Sequence, residues 1–294
     1  MILNNNKKLI SFTKSFLTIV IMFLSLICFL SCDESGNTRV VGVTIVPQQT
    51  FVKKVAGDLV DVVTLVPTGS SPETFEPLPK DLVKLDSAAL YFTIGVPTEG
   101  DNILGNINSK TKIVHLEEVC SEIYDDIYFA SGGRDPHIWL SPKRVIAMVE
   151  VIRDELIRVD SLHQDVYTEN ASIFIDELRK ADAEIKEAII QSGVKDFIAY
   201  HPAFGYFASD YNLKMHSLEQ DGKEATIETF TKLVDEAKKL NIKVIFYQEE
   251  VDGSQAATFA EEINGKAIKL EPLSSNYIEN LYQMAKVISE VNNG

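Results

Sequence analysis

Cysteine is scarce in this chain of 294 residues, which contains only three. Cys28 and Cys32 lie at the end of an N-terminal apolar run, so Cys120 has no partner in the rest of the chain and no internal disulfide is expected. The expected role of Cys120 is that of a small, buried apolar side chain. The fold must therefore be stabilised by an apolar core rather than by cross-links.

The chain also lacks the common hydrolase and nucleotide-binding motifs. It has no His-Glu-x-x-His helix, no Gly-x-Ser-x-Gly turn and no glycine-rich phosphate loop. Basic residues are few, since 28 Lys and Arg stand against 43 Asp and Glu. Without the first 32 residues, which carry three lysines and no acidic residue, the formal net charge changes from −15 to −18. Such a chain is not expected to bind nucleic acid, and most of its acidic residues are expected to serve solubility.

Residues 1–32 have the order of a secretory signal. An apolar run over 15–30 follows Lys7, Lys8 and Lys14, and it is too short for a comfortable membrane span. The run ends in Phe-Leu-Ser-Cys, which resembles a lipobox, so Cys32 is expected to carry a lipid and 33–38 to form a polar tether. The alternative is an uncleaved anchor with Cys32 as an ordinary thiol. Both interpretations place the remaining residues outside the cytoplasm, anchored to the cell envelope.

Strands and helices alternate along the rest of the chain. Strands are predicted at 39–46, 61–66, 89–95, 112–116, 197–200, 215–218, 243–247 and 266–270. Helices are predicted at 48–57, 79–85, 142–156, 166–191, 226–240, 254–263 and 278–291. This alternation predicts α/β lobes with parallel, helix-covered sheets. The helix over 166–191 has neither Gly nor Pro and would be about 39 Å long, which suits a rigid connector between lobes at 39–165 and 192–294.

Four segments combine an imidazole or a carboxylate with proline at or beyond the end of a predicted strand, where open α/β sheets bind their ligands. They are PTGSSPETFEP at 67–77, DPHIWLSP at 135–142, YHPAFGYF at 200–207 and LEPL at 270–273. In their order and spacing these segments resemble the solute-binding lipoproteins of zinc and manganese ABC transporters, the TroA/ZnuA-like family. The resemblance covers nearly the whole chain after residue 38, and DPHIWLSP and HPAFGYF are its most specific parts.

The resemblance implies two α/β lobes joined by one long helix, with a metal ion in the cleft between them. Carried over by motif, the ligands are His137, His201 and Glu271, where the family usually has an aspartate, together with Glu73, which stands where most members have a histidine. Two imidazoles and two carboxylates form a chemically complete site. Zn²⁺ is the expected ion from the Irving–Williams order, and Mn²⁺ is the alternative because carboxylate oxygens favour harder cations.

The function implied by the resemblance is that of a monomeric binding protein that delivers the metal to the permease of an ABC importer, with the lipid on Cys32 holding it at the membrane. Glu73 in place of histidine leaves open a second possibility, a two-lobe protein that binds a metal chelate of the siderophore or cobalamin type. An extracytoplasmic zinc hydrolase is less favoured, because four protein ligands leave no position for an activated water. Adhesion has been attributed to family members, but no residue of this chain indicates it.

Other residues are expected to have supporting or structural roles. Trp139, Phe204, Tyr206 and Phe207 are expected to shield the site. His115, His163 and His216 lie outside the motifs and are interpreted as structural or exposed. The stretch 122–134, where zinc-specific members often have a histidine-rich loop, contains no histidine, so no accessory metal site is expected.

Overall fold

A computed structural model describes residues 39–219, 225–251 and 253–291, and all of these lie in one compact unit. The predicted signal peptide, the lipobox with Cys32 and the tether over 33–38 lie outside the described residues. Of the helices in the described part of the chain, none combines the length and the hydropathy that crossing a membrane requires.

The first half of the described chain forms a four-stranded parallel sheet with the strand order β2-β1-β3-β4. Its strands are β1 Arg39–Val43, β2 Val60–Thr64, β3 Ala88–Thr93 and β4 Lys112–His115. Its helices are α1 Val46–Ala56, α2 Pro79–Val83, α3 Asp101–Leu104, α4 Leu116–Ile123 and α5 Pro142–Val159. The parallel register puts the carboxyl ends of all four strands at one edge of the sheet.

The second half repeats this topology without repeating the sequence. Its sheet has the order β6-β5-β7-β8 and is also parallel throughout. The strands are β5 Asp196–Ala199, β6 Lys214–Ser217, β7 Val244–Gln248 and β8 Lys266–Leu270. The helices are α7 Gly205–Asp210, α8 Ile227–Leu240, α9 Ser254–Glu262 and α10 Tyr277–Ser289. In each sheet the second strand lies on one side of the first strand and the third strand lies on the other side, so the strand order reverses between β1 and β3 and between β5 and β7. Open α/β sheets bind ligands at such switch points.

The helix α6, Gln164–Ser192, links the two lobes. Its 29 residues span about 43 Å. It packs against α1 and α5 of the first lobe and against α10 of the second. One continuous cluster of buried apolar side chains extends through both lobes and along this helix. The predicted architecture of two parallel α/β lobes with one long linking helix is therefore confirmed.

Several predicted boundaries differ from the structure, most clearly at the first strand. The strand predicted over 39–46 ends at Val43, and Val46 already begins α1. Gln48 explains the early ending, because its Oε1 accepts hydrogen bonds from the backbone N–H groups of Thr44 and Ile45, both at 3.0 Å. The short helices α3, α4 and α7, and the three turns of 3₁₀ helix in the described part of the chain, were not predicted.

Candidate metal centre

Glu73 lies in the loop between β2 and α2, inside the proline-rich segment 67–77. A turn at Ser71 shapes this loop, because the Phe75 N–H donates to the Ser71 carbonyl at 2.9 Å. The Ser71 hydroxyl accepts from the Glu73 N–H at 3.2 Å and donates to Glu73 Oε2. The other carboxylate oxygen, Oε1, is left to face the histidines. The side chain is 24% exposed, so it lies at the mouth of the site.

His137 is held by the local geometry of Asp-Pro-His. Oδ1 of Asp135 accepts from the His137 backbone N–H at 2.9 Å and contacts ring Nδ1 at 2.7 Å. Because an ionised carboxylate can only accept, Nδ1 carries the proton. In the neutral ring, Nε2 then presents its lone pair to the cleft. The imidazole is buried, with 3% of the side chain exposed.

His201 follows β5 by two residues, beside the switch point of the second sheet. Its Nδ1 lies 2.6 Å from Oε2 of Glu219, which comes just after β6, the neighbouring strand. The same reasoning therefore applies to this ring: Nδ1–H donates to a carboxylate and Nε2 faces the cleft. Histidines that bind metals are commonly oriented by carboxylates in this way.

The three side chains converge from the two lobes. Oε1 of Glu73 lies 3.0 Å from Nε2 of His137 and 3.6 Å from Nε2 of His201, and the two Nε2 atoms are 3.4 Å apart. A circle through the three atoms has a radius of about 1.9 Å, whereas zinc bonds to nitrogen and oxygen are about 2.0–2.2 Å long. An ion slightly out of their plane is therefore at bonding distance from all three atoms. Among the described residues, these are the three grouped closely enough to hold a metal ion.

The electrostatics of the cluster fit a cation. Burial alone would lower the pKa of His137, but Asp135 and Glu73 outweigh burial and raise this pKa to about 9. Burial also opposes the charged form of His201, yet Glu219 and Glu73 raise its pKa. Burial would raise the pKa of Glu73, but the two histidines hold it well below its usual range. Protons on the imidazoles thus balance the carboxylates when no metal is bound, and a divalent cation can replace those protons.

Glu271, the fourth predicted ligand, is placed elsewhere. Its side chain is 51% exposed and lies 3.6 Å from Nζ of Lys269. It lines a separate cavity of about 220 Å³ together with Glu249 and Glu250. Sheet order explains the separation, because Glu271 follows the edge strand β8, and β7 lies between β8 and β5, the strand that precedes His201. The structure brings together Glu73, His137 and His201 but not Glu271, whose role as a ligand stays a prediction.

Aromatic side chains surround the imidazoles and tie the lobes together. The Trp139 ring centroid lies 5.1 Å from that of His137. Trp139 Nε1–H donates to the Pro272 carbonyl at 2.9 Å, and the Tyr277 hydroxyl donates to the Trp139 carbonyl at 2.6 Å. Tyr206 donates to the Asp135 carbonyl at 3.0 Å, so it positions the residue that orients His137. Phe204 and Phe207 are fully buried and pack against Phe197 and Tyr211, so their shielding of the site stays a prediction.

The orienting roles of Asp135 and Glu219 were not predicted. Asp135 was visible as part of the DPH motif, and its distance of two residues from His137 is the signal that could have revealed its role. Glu219 gave no comparable signal, because 18 residues separate it from His201. The other three histidines contact carboxylates away from the cluster: His115 contacts Glu117, His163 contacts Asp160, and His216 contacts Asp196 and Glu236.

Comparisons with known proteins agree with this geometry. The family described as "Zinc-uptake complex component A periplasmic" (ZnuA) matches residues 41–291. The zinc-binding protein AdcA of Streptococcus pyogenes serotype M3 is 30% identical over 265 residues, which cover 81% of this chain and 51% of AdcA. The high-affinity zinc uptake system protein ZnuA of Bacillus subtilis is 29% identical over 259 residues, which cover 83% of this chain and 81% of that protein.

Among solved structures, a crystal structure of ZnuA superposes with a TM-score of 0.81 at 31% identity, covering 87% of this chain and 99% of that one. The chain spans about half the length of the AdcA relatives that it matches. The match over 41–291 includes both lobes, the linking helix and the three converging residues. The chain therefore belongs to the ZnuA family of periplasmic zinc-uptake components.

Proposed function

We propose that this protein captures a zinc ion outside the cytoplasm and delivers it to the permease of an ABC importer. The observation that carries this proposal is the pair of imidazoles whose Nδ1 atoms are held by Asp135 and Glu219 while their Nε2 atoms meet Oε1 of Glu73. When both rings are neutral, these three atoms are all acceptors, so their close approach requires either protons on the imidazoles or a metal cation that replaces those protons. Two of the relatives, a zinc-binding protein and a zinc uptake system protein, support the same function.

Zinc is the proposed ion because the three converging donors are two imidazole nitrogens and one carboxylate oxygen. This donor set suits zinc, and the Irving–Williams order favours zinc over manganese at such a site. Manganese remains the alternative ion, since Glu73 adds an oxygen donor where the family usually has a nitrogen. Glu271 becomes a ligand only if its carboxylate leaves Lys269 and moves toward the cluster, so we propose that it joins the other three ligands after the ion is bound.

Delivery to a permease requires a position at the membrane. We propose that residues 1–32 act as a signal peptide and that the lipid on Cys32 anchors the mature protein, as the sequence around Cys32 suggests. The protein then acts as a binding component that performs no chemistry on its cargo. A monomer suffices, because both lobes of one chain supply the ligands.

The test is a zinc titration of the full chain, solubilised in detergent, by competition with a fluorescent chelator. We expect one tight site, and we expect His137→Ala and His201→Ala each to weaken zinc binding by at least about 100-fold, because each removes a ligand. His163→Ala is the matched control, since this histidine contacts Asp160 away from the site. Unchanged affinity in both ligand variants would exclude the proposed function. A manganese titration under the same conditions decides between the two ions.

A further inference from the structure

A large cavity lies beside the three converging residues. Its volume is about 560 Å³, and its wall includes Glu73, His137 and His201. Pockets of about 300–1,000 Å³ typically hold small organic molecules, whereas one water molecule occupies about 30 Å³. A zinc ion with a few waters therefore fills only a small part of this space.

The chemistry of the wall suits an organic ligand. Val96, Pro97, Phe129 and Pro136 provide an apolar surface. Arg134 contributes a positive charge to the same wall. An apolar surface with a few polar groups at fixed positions is the usual composition of a small-molecule site.

The Arg134 guanidinium is held in place on two sides. Its Nε lies 2.9 Å from Oδ1 of Asp126, and its Nη2 donates to the Glu117 carbonyl at 3.1 Å. Nη1 has no acceptor within the described parts of the chain, and it lies beside Gly95 in the cavity wall, 3.1 Å from where a Cβ of Gly95 would be. A guanidinium fixed in this way can bind a carboxylate without losing further side-chain freedom.

The coordination of the ion also leaves room for a ligand from the cavity. The three converging atoms occupy one face of a zinc ion, and zinc takes four ligands and sometimes five. One position, or two in a five-coordinate ion, therefore stays open to the cavity while Glu271 remains beside Lys269.

We propose that the cavity binds a small aminocarboxylate or hydroxycarboxylate chelator, which coordinates the zinc ion and places a carboxylate at Nη1 of Arg134. This inference rests on the proposed function, because it requires zinc at the three converging residues. It differs from capture of a siderophore or cobalamin, since the protein itself supplies three of the ligands. The co-ligand closes the open side of the ion and shields it from water.

Equilibrium dialysis of the full chain in detergent, with isotope-labelled L-histidine or citrate as the probe, tests the inference. We expect one probe molecule retained per zinc ion, and none retained without zinc. Arg134→Met should weaken probe retention about tenfold, as expected for the loss of one charge-assisted hydrogen bond. The zinc affinity of this variant, measured without the probes, should equal that of the wild type. Arg153→Met is the matched control, because Arg153 pairs with Asp154 on α5.

A second variant addresses the possibility that Arg134 is needed to fold its loop. The nearest atom to a Cβ placed at Gly133 is Ser131 Oγ at 3.7 Å, so this wall position accepts a side chain. Gly133→Phe reduces the cavity volume, and it should abolish probe retention while leaving zinc binding intact. Zinc binding without retention of either probe, or retention that neither variant reduces, would overturn the co-ligand. If the wild type does not bind zinc at all, the proposed function itself is refuted.

Discussion

Zinc affinity should rise steeply with pH, because zinc must displace protons from the imidazoles. In the metal-free protein the pKa of His137 is about 9, raised by Asp135 and Glu73 against the opposing effect of burial. The ordinary pKa of histidine is about 6.5. The ring is therefore protonated at pH 7, although zinc binds only its deprotonated form.

The size of the effect follows from this pKa. Two pH units below a pKa, about one ring in 100 is deprotonated, so His137 alone lowers the zinc affinity at pH 7 about 100-fold relative to its value above pH 9. The raised pKa of His201 acts in the same direction. Between pH 7 and 9 we therefore expect the affinity to increase by about tenfold per pH unit or more.

The assay is a competition titration with a chelator of known pH dependence, at pH 6, 7, 8 and 9. Calorimetry in buffers of different ionisation enthalpy counts the protons released. Asp135→Asn removes a charge that raises the pKa of His137, so the pH at which the affinity levels off should move down. The plateau itself should fall about 10–100-fold, because the ring loses its orienting carboxylate. Asp154→Asn is the control, since Asp154 is exposed and pairs with Arg153.

A flat affinity between pH 7 and 9, with no proton released on binding, would refute this reasoning. This result would mean that the imidazoles of the metal-free protein are already neutral at pH 7 and that the carboxylates around them do not raise their pKa values. An Asp135→Asn curve that levels off at the same pH as the wild type would show that Asp135 does not control the protonation of His137.

Three further predictions concern residues around the site. Glu219→Gln should weaken zinc binding about 10–100-fold without changing the circular dichroism spectrum, because His201 loses its orienting carboxylate; unchanged affinity in a competition titration would contradict that role. Gly205→Ala should lower the free energy of unfolding by about 1–3 kcal/mol in urea titrations, because a Cβ at this position would lie 2.4 Å from Oδ2 of Asp135. A variant as stable as the wild type would show that the segments around Gly205 and Asp135 move apart without cost. Burial raises the pKa of Glu99 to about 7, so this carboxyl group stabilises the fold fully below pH 4.5 and loses that contribution as the pH rises to 7. Glu99→Gln should therefore gain stability relative to the wild type over that range, by about 3 kcal/mol, and a constant difference would contradict the raised pKa.

The elements that were predicted well are those whose signals are local. The start of α5 was readable because Ser141 precedes Pro142, and the Ser141 side chain indeed accepts from the Arg144 N–H. Gly193 ends α6 in the left-handed conformation that glycine favours. In contrast, the end of β1 depends on Gln48, whose Nε2 donates to the carbonyls of Phe92 and Thr93 on the neighbouring strand. No local pattern contains that contact.

The same division applies to the candidate site. The sequence by itself determined the alternation of strands and helices in the two lobes and the short motifs that contain His137 and His201, because both signals act over a few residues. Only the tertiary structure decided which acids meet those imidazoles. Glu219 reaches His201 because β5 and β6 are neighbours, whereas Glu271 follows an edge strand and contacts Lys269 instead. The physical reason is that the order of strands in a sheet is set by packing between distant segments, and this order determines which side chains share one cation.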